Sequence, residues 1–511
     1  MADTKIEDAL NGLDEYLVQA YNEQPLPGLA VGVVQDGKLV YTRNFGYSDL
    51  ERQTPVSSET VFRIMSISKT FTAIGIMQLW EAGKLGLDDP VNPYLKAMRV
   101  EHKDPAAPQI TFRHLLTHTA GIGEVRDLSD TFRPVGGLGA KPGTRILSMP
   151  EYYDGKLQAE IYPGQKWAYA NHGYAVLAQL IEDISGEPFA EYMRRHVFKP
   201  LGMDHSDYYL SERVRDALAQ GNLTQGYQFK RNHFEPVPYL RLNTPGCGGI
   251  FSNVNDMARY MSALMNGGQA GKERILKAES LKEMMSSQLE TDPRVFEMGL
   301  GFVLTHIGPY AAVRHGGGWP GFISEMTVAP DQKLGVVVFT NSSSRAPGLI
   351  ARGILQRLLD VKDPLEALPD PTILEKPANW SCLCGSYSPR PGFLTNWRVW
   401  EGYGGEIKVY VKDNHLMACG LVGPTRKGFP LYRAESDDEL LFMWKTGKQL
   451  TPILFEAGAD GQVKRMNLGQ FVMIKRLFTQ SLRFKALSVM GILGGTLFGF
   501  LTQWLFKKKK K

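Results

Sequence analysis

Ser66-Ile67-Ser68-Lys69 opens the apolar run Thr70-Phe71-Thr72-Ala73-Ile74-Gly75-Ile76-Met77-Gln78-Leu79-Trp80, and the reading of this stretch decides the fold. A serine and a lysine three apart at a helix start share one face, about 5–6 Å apart at Cβ, so the lysine nitrogen reaches the hydroxyl. A serine is a weak nucleophile until a neighbouring base takes its proton. A helix amino terminus also supplies N–H groups and a partial positive charge where an oxyanion would form.

Two further motifs bear on this pair. Tyr169-Ala170-Asn171 precedes a helical run and follows the loop Tyr162-Pro163-Gly164-Gln165-Lys166-Trp167. A tyrosine beside a cation can take a serine proton as phenolate; a neutral lysine can take it with the tyrosine as relay, and both routes stay open. Val313-Arg314-His315-Gly316-Gly317-Gly318-Trp319 reads as a strand followed by three glycines. Glycines let backbone N–H groups approach a ligand closely, and His315 adds a donor beside them.

In this order the three motifs resemble those of the serine β-lactamase and penicillin-binding-protein superfamily, in its class C-related esterase and D-aminopeptidase branch. Thr111 to Gly121, Val197 to Met203 and Gly248 to Ser252 look like further signatures, and the resemblance covers about residues 10 to 360. It implies Ser66 as the acylated nucleophile, Lys69 as its proton partner and Tyr169 as general base. It implies that Asn171 holds the substrate amide or carbonyl, and that the N–H groups of Ser66 and Gly318 form the oxyanion hole beside His315, Gly316 and Gly317. His315 stands where true β-lactamases of the superfamily carry the lysine of a Lys-Thr-Gly motif, and a histidine is mostly neutral at pH 7. The expectation shifts from β-lactam cleavage toward esters, amides or D-amino peptides. An acyltransferase or peptide cyclase using the same acyl-serine is the alternative, and a noncatalytic scaffold presented on a membrane is a second.

Strand patterns at Leu29 to Val34 and Leu39 to Tyr41, joined by the hairpin turn Gln35-Asp36-Gly37-Lys38, return near Gly301 to Leu304, Ala312 to Arg314, Ile323 to Val328 and Leu334 to Thr340. Helical patterns fill Lys69 to about Phe198, with an amphipathic helix near 5–22 and a last helix at Leu349 to Leu359. Strands at both ends with helices between predict an α/β sandwich of the β-lactamase/transpeptidase type, an antiparallel sheet flanked by helices plus an all-helical region. This hydrolase domain is placed at 1–362, with a proline-rich linker at 363–380. Short β-rich segments from Trp397 to Glu401 through Thr451 to Phe455 predict a small antiparallel barrel at 381–478, which resembles the lipocalin-like domain appended in this branch. Loops around 122–145 and 220–245 are expected to set substrate fit.

The chain has 511 residues and a net charge of +5, but Lys507 to Lys511 supply all of that excess, so nucleic acid is excluded as a partner. Cys247, Cys382, Cys384 and Cys419 form no metal-ligand pattern, and His114 and His118 lack a third ligand; neither metal nor other cofactor is expected. Small-molecule esters, amides or peptides are the expected partners, with a homo-oligomer open. Ala486 to Phe506 holds 21 uncharged residues between Lys485 and the lysine run, and about 20 suffice to cross a bilayer. With an acidic amino terminus in place of a signal peptide, the segment 479–511 reads as a C-terminal transmembrane anchor, the catalytic part facing the cytosol at the mitochondrial outer membrane, peroxisome or endoplasmic reticulum.

Overall fold

The computed structural model describes residues 10, 12–141, 143–145, 147–208, 221–365, 368, 380–434 and 438–485. The chain divides into two compact units, Met1–Asp363 and Pro364–Lys511.

In the first unit the elements that frame the site are α1 (Leu13–Asn22), β1 (Gly28–Gln35), β2 (Lys38–Asp49), α2 (Ser68–Glu81), α3 (Asn171–Ser185), α4 (Val254–Met265), β3 (Tyr310–Trp319), β4 (Phe322–Ala329), β5 (Leu334–Thr340) and α5 (Ala346–Leu358). An eight-stranded antiparallel sheet runs Glu297–Met298, Val303–Ile307, β3, β4, β5, β1, β2, Thr54–Pro55. The two ends of the unit therefore meet at its centre, with Leu29 opposite Thr340 and Gln35 opposite Leu334.

Period-2 alternation sorts these strands between two cores. Leu29, Val31 and Val33 of β1 join Leu334, Val336 and Val338 of β5 against Leu13 and Leu17 of α1 and Ile350, Ile354 and Leu355 of α5. Ala30, Val34, Val337 and Phe339 face the larger core with α2, α3 and α4. Helix α2 is buried on every face from Ser68 to Met77, so it is a central rod carrying the nucleophile turn into the core.

Several elements differ from the sequence expectation. Strand β2 runs to Asp49; beyond Tyr41 its apolar pattern is interrupted by Thr42, Arg43, Asn44 and Gly46, which hid its length in the sequence. The turn before it has Asp36 and Gly37 both at positive φ, as a type I′ hairpin requires. The helical stretch expected between Lys69 and Phe198 is broken by a parallel strand pair, Arg99–His102 with Lys156–Ala159, and by short helices at Phe112–Leu116 and Met149–Tyr152.

The second unit is a closed barrel of eight antiparallel strands from Gly385–Pro389 to Phe471–Arg476. Side chains fill it: Tyr387, Val409, Leu416, Trp444, Ile453, Met466 and Met473 belong to one buried cluster, as in other small barrels. Trp397 to Glu401, read from sequence as a strand, lies in the helix Trp397–Tyr403, which is ended by Gly404 at positive φ.

The expected membrane anchor is corrected. Among the described residues no helix is long and apolar enough to cross a membrane. Helix α3 has 15 residues, where about 20 are needed to span the hydrocarbon layer. The stretch 486–506 that suggested a transmembrane helix lies outside the described residues, as does most of 363–380. The fold is thus an α/β sandwich followed by a barrel, and the membrane partner and organelle-surface placement are withdrawn.

Candidate active site

Ser66 lies in a 3₁₀ turn, Met65–Ile67, that runs directly into α2. Between Thr60 and Met77 it is the one residue that is not buried. Met65 before it has φ +49, a conformation disfavoured for a side-chain-bearing residue. The turn is held from outside: Ile64 N–H donates to Ile250 O at 3.1 Å, and Ser324 Oγ donates to Ile64 O at 2.8 Å.

Lys69, on the first turn of α2, is fully buried. Its Nζ is 3.1 Å from Ser66 Oγ, 2.8 Å from Asn171 Oδ1 and 2.7 Å from the carbonyl oxygen of Cys247. As an ammonium it would donate to all three. As a neutral amine it has two N–H groups, which the two carbonyls take, and a lone pair left for the Ser66 hydroxyl. The same three neighbours serve both protonation states, which is what a group exchanging a proton with Ser66 needs.

Tyr169 lies outside regular secondary structure, with Lys69 Nζ 4.8 Å above its ring. Asn171 opens α3 but does not cap it: the N-cap is Ala170, and the amide oxygen faces Lys69. Tyr174, one turn further on, donates to Leu116 O at 2.8 Å, and burial pushes its hydroxyl well above the ordinary tyrosine value, so it remains a phenol beneath Lys69.

His315 to Gly318 do not follow a strand; they lie within β3. The neighbouring strand stops pairing at Val303 opposite Arg314, so residues 315–319 pair through β4 and project past the sheet edge. Backbone φ does not demand glycine here. A Cβ on Gly317 would lie 2.2 Å from Ile64 O and 3.0 Å from Met65 Cβ, so glycine lets β3 approach the nucleophile turn. On Gly318 the nearest atom would be Ile323 Cδ1 at 3.4 Å. His315 is buried, with Nδ1 2.8 Å from Gly316 O, which fixes a proton on Nδ1.

The structure thus gathers Ser66, Lys69, Tyr169 and Asn171 at one point and sets β3 against their turn. Sequence reasoning missed the Cys247 carbonyl. Its signal was the glycine-rich Pro245-Gly246-Cys247-Gly248-Gly249, a loop whose backbone is its useful part. The Cys247 thiol is buried and pushed up by that burial, which leaves it inert.

The two loops singled out from sequence meet in a short ribbon. Gly139–Ala140 pairs with Arg241–Leu242, and Asn243 N–H donates to Leu138 O at 2.9 Å. A methyl on Gly248 would meet Leu242 at 3.3 Å and Met65 at 3.4 Å, so this ribbon stands beside the nucleophile turn. Buried Asp130 accepts from Arg126 at 2.7 and 2.8 Å, a bidentate pair that braces the first loop.

His172, next to Asn171, is fully buried with Nδ1 2.9 Å from Tyr153 OH, and burial lowers its pKa from 6.5 to about 4. A base whose folded value is depressed contributes full stability above pH 6.5, and that stability falls as pH drops from 6.5 toward 4. The span is worth about 3 kcal/mol. Urea unfolding between pH 7 and 4 is expected to show this loss, and His172→Gln to flatten it.

A sequence model described as Beta-lactamase matches residues 13–360. A penicillin-binding protein of Bacillus subtilis is 29% identical over 315 residues, 61% of this chain and 70% of the relative. Esterase EstB of Burkholderia gladioli is 28% identical over 277 residues, 49% of this chain and 69% of the esterase. The structure of an octameric penicillin-binding protein homologue from Pyrococcus abyssi is similar with a TM-score of 0.60 and 26% identity, covering 91% of this chain and 99% of that one.

Proposed function

Since the chain belongs to the beta-lactamase family, whose serine hydrolases and penicillin-binding proteins it resembles in sequence and fold, we propose that it forms an acyl-serine intermediate on small esters or amides. Ser66 Oγ attacks the substrate carbonyl as Lys69 takes its proton. The N–H groups of Ser66 and Gly318 receive the oxyanion, and Tyr169 gives its proton to the leaving group and takes the one held by Lys69 in exchange. Water then attacks the acyl-serine and loses a proton to Lys69, which passes it to Ser66 Oγ as the acid leaves. The observation that carries this reading is the buried Lys69 Nζ, 3.1 Å from Ser66 Oγ and fixed by Asn171 Oδ1 and the Cys247 carbonyl.

Intact-mass spectrometry after incubation with p-nitrophenyl acetate is expected to show one acetyl group on the wild type and none on Ser66→Ala. A wild type that stays unmodified, or a Ser66→Ala protein that acylates equally, would sink the reading.

His315 in place of a lysine supports ester over β-lactam turnover. A fixed cation that hydrogen-bonds a substrate carboxylate contributes about 1.5–3 kcal/mol, and an imidazole, which is not a fixed cation, does not supply it. Nitrocefin is expected to be turned over at a kcat/KM at least about tenfold below that for p-nitrophenyl acetate. Equal efficiencies would contradict the ester preference while leaving the acyl-serine intact.

A further inference from the structure

His118 lies in Thr111 to Gly121, one of the further signatures in the sequence. It is 2% exposed, has φ +60, and follows the helix Phe112–Leu116. Its backbone oxygen accepts the Ala168 N–H at 2.8 Å and its Nδ1 accepts the Ala170 N–H at 3.1 Å. Those two bonds bracket Tyr169. The imidazole also lies on the Tyr169 ring, centroids 4.4 Å apart and planes 33° apart.

The stretch 166–170 is neither helix nor strand, so hydrogen bonds from neighbouring turns must hold it. The turn at 118–121 supplies them in series: Gly121 O accepts from Glu160, Thr119 O from Gly164 and His118 O from Ala168. His118 adds what a backbone cannot, a side-chain acceptor on the far side of Tyr169 and a flat surface against its ring. The Ala170 N–H donates to Nδ1, so that nitrogen carries no proton in this arrangement and the neutral ring is protonated at Nε2.

We propose that His118 is a positioning residue for Tyr169, fixing the backbone on both sides of the phenol and the plane of its ring beneath Lys69. This rests on the role given to Tyr169 above. His118 acts through that tyrosine and does not contact the reacting atoms.

The test is a double-mutant cycle on the full chain with p-nitrophenyl acetate, preceded by Tyr169→Phe alone. If Tyr169→Phe is as active as the wild type, the role of Tyr169 falls and this inference falls with it, before any His118 variant is made. If Tyr169→Phe is impaired, His118→Ala is expected to lower kcat about 30- to 100-fold with KM within about twofold, the scale of a small misplacement of a reacting group. In the Tyr169→Phe background the same change is expected to cost less than about twofold, because the hydroxyl it aims is gone. His118→Asn keeps an acceptor for the Ala170 N–H and tolerates positive φ, and is expected to stay within about fivefold of wild-type kcat. Thermal melts accompany each protein; should alanine prevent folding, His118→Gly, unstrained at this φ, replaces it in the cycle. Equal losses in both backgrounds, or an asparagine variant as impaired as alanine or glycine, overturn the proposal.

Discussion

Lys69→Met is expected to lower kcat/KM for a p-nitrophenyl ester by about 10²–10⁴-fold, the usual contribution of a general base, while leaving the protein folded. Methionine matches the length and apolar stem of lysine but supplies neither proton nor lone pair. Two carbonyl acceptors, Asn171 Oδ1 and Cys247 O, lose their partner, which costs about 1–3 kcal/mol each. Against this, a fully buried amine no longer has to be taken from water, which offsets part of that cost. The urea midpoint should therefore fall while the protein stays folded in water and activity collapses. A Lys69→Met protein that keeps more than about a tenth of wild-type kcat/KM would show that Ser66 is activated by some other group.

The second large effect is Gly317→Ala. The added methyl would sit 2.2 Å from Ile64 O and 2.3 Å from Ser324 Oγ. Ser324 Oγ can rotate, but doing so would break its bond to the same Ile64 carbonyl. The carbonyl cannot move without carrying the Ser66 turn. The strain is expected to cost about 1–3 kcal/mol of stability, and moving β3 off the turn about 10²-fold in kcat. Gly318→Ala is the internal comparison. Its methyl meets only Ile323 Cδ1 at 3.4 Å, so its stability cost should stay within about 0.5 kcal/mol. Equal unfolding midpoints for the two variants would remove the close-approach explanation for the glycine run.

Much of the site was legible because its chemistry is local. Ser66 and Lys69 are one helical turn apart, and their spacing alone places the nitrogen near the hydroxyl. Tyr169 and Asn171 were found as residue types suited to proton transfer and hydrogen bonding. What Asn171 touches was not legible, since the amide could equally have capped α3. The Cys247 carbonyl and the His118 clamp were invisible for a different reason. A backbone oxygen has no residue type, and the Nδ1 bond to Ala170 joins positions 52 residues apart. The glycines of β3 misled through composition: three in a row suggest a turn, whereas here they keep a strand free of side chains where it crosses a backbone turn. Strand β2 was cut short in reading because Thr42, Arg43, Asn44 and Gly46 interrupt its apolar pattern. The membrane span rested on one uncharged stretch at 486–506, outside the described residues, and the helices of the described residues give it no support.

The three groups around Lys69 Nζ lie 3, 102 and 178 residues away along the chain. The first forms with the helix itself, whereas the other two form only after most of the first unit has come together. During refolding from urea, far-ultraviolet ellipticity should therefore recover before reactivity toward an acylating probe. A chain with its helices formed but its loops undocked would hold a serine and a lysine side by side and still be chemically quiet. Acylation is in this sense a clock for the last long-range contacts of the unit.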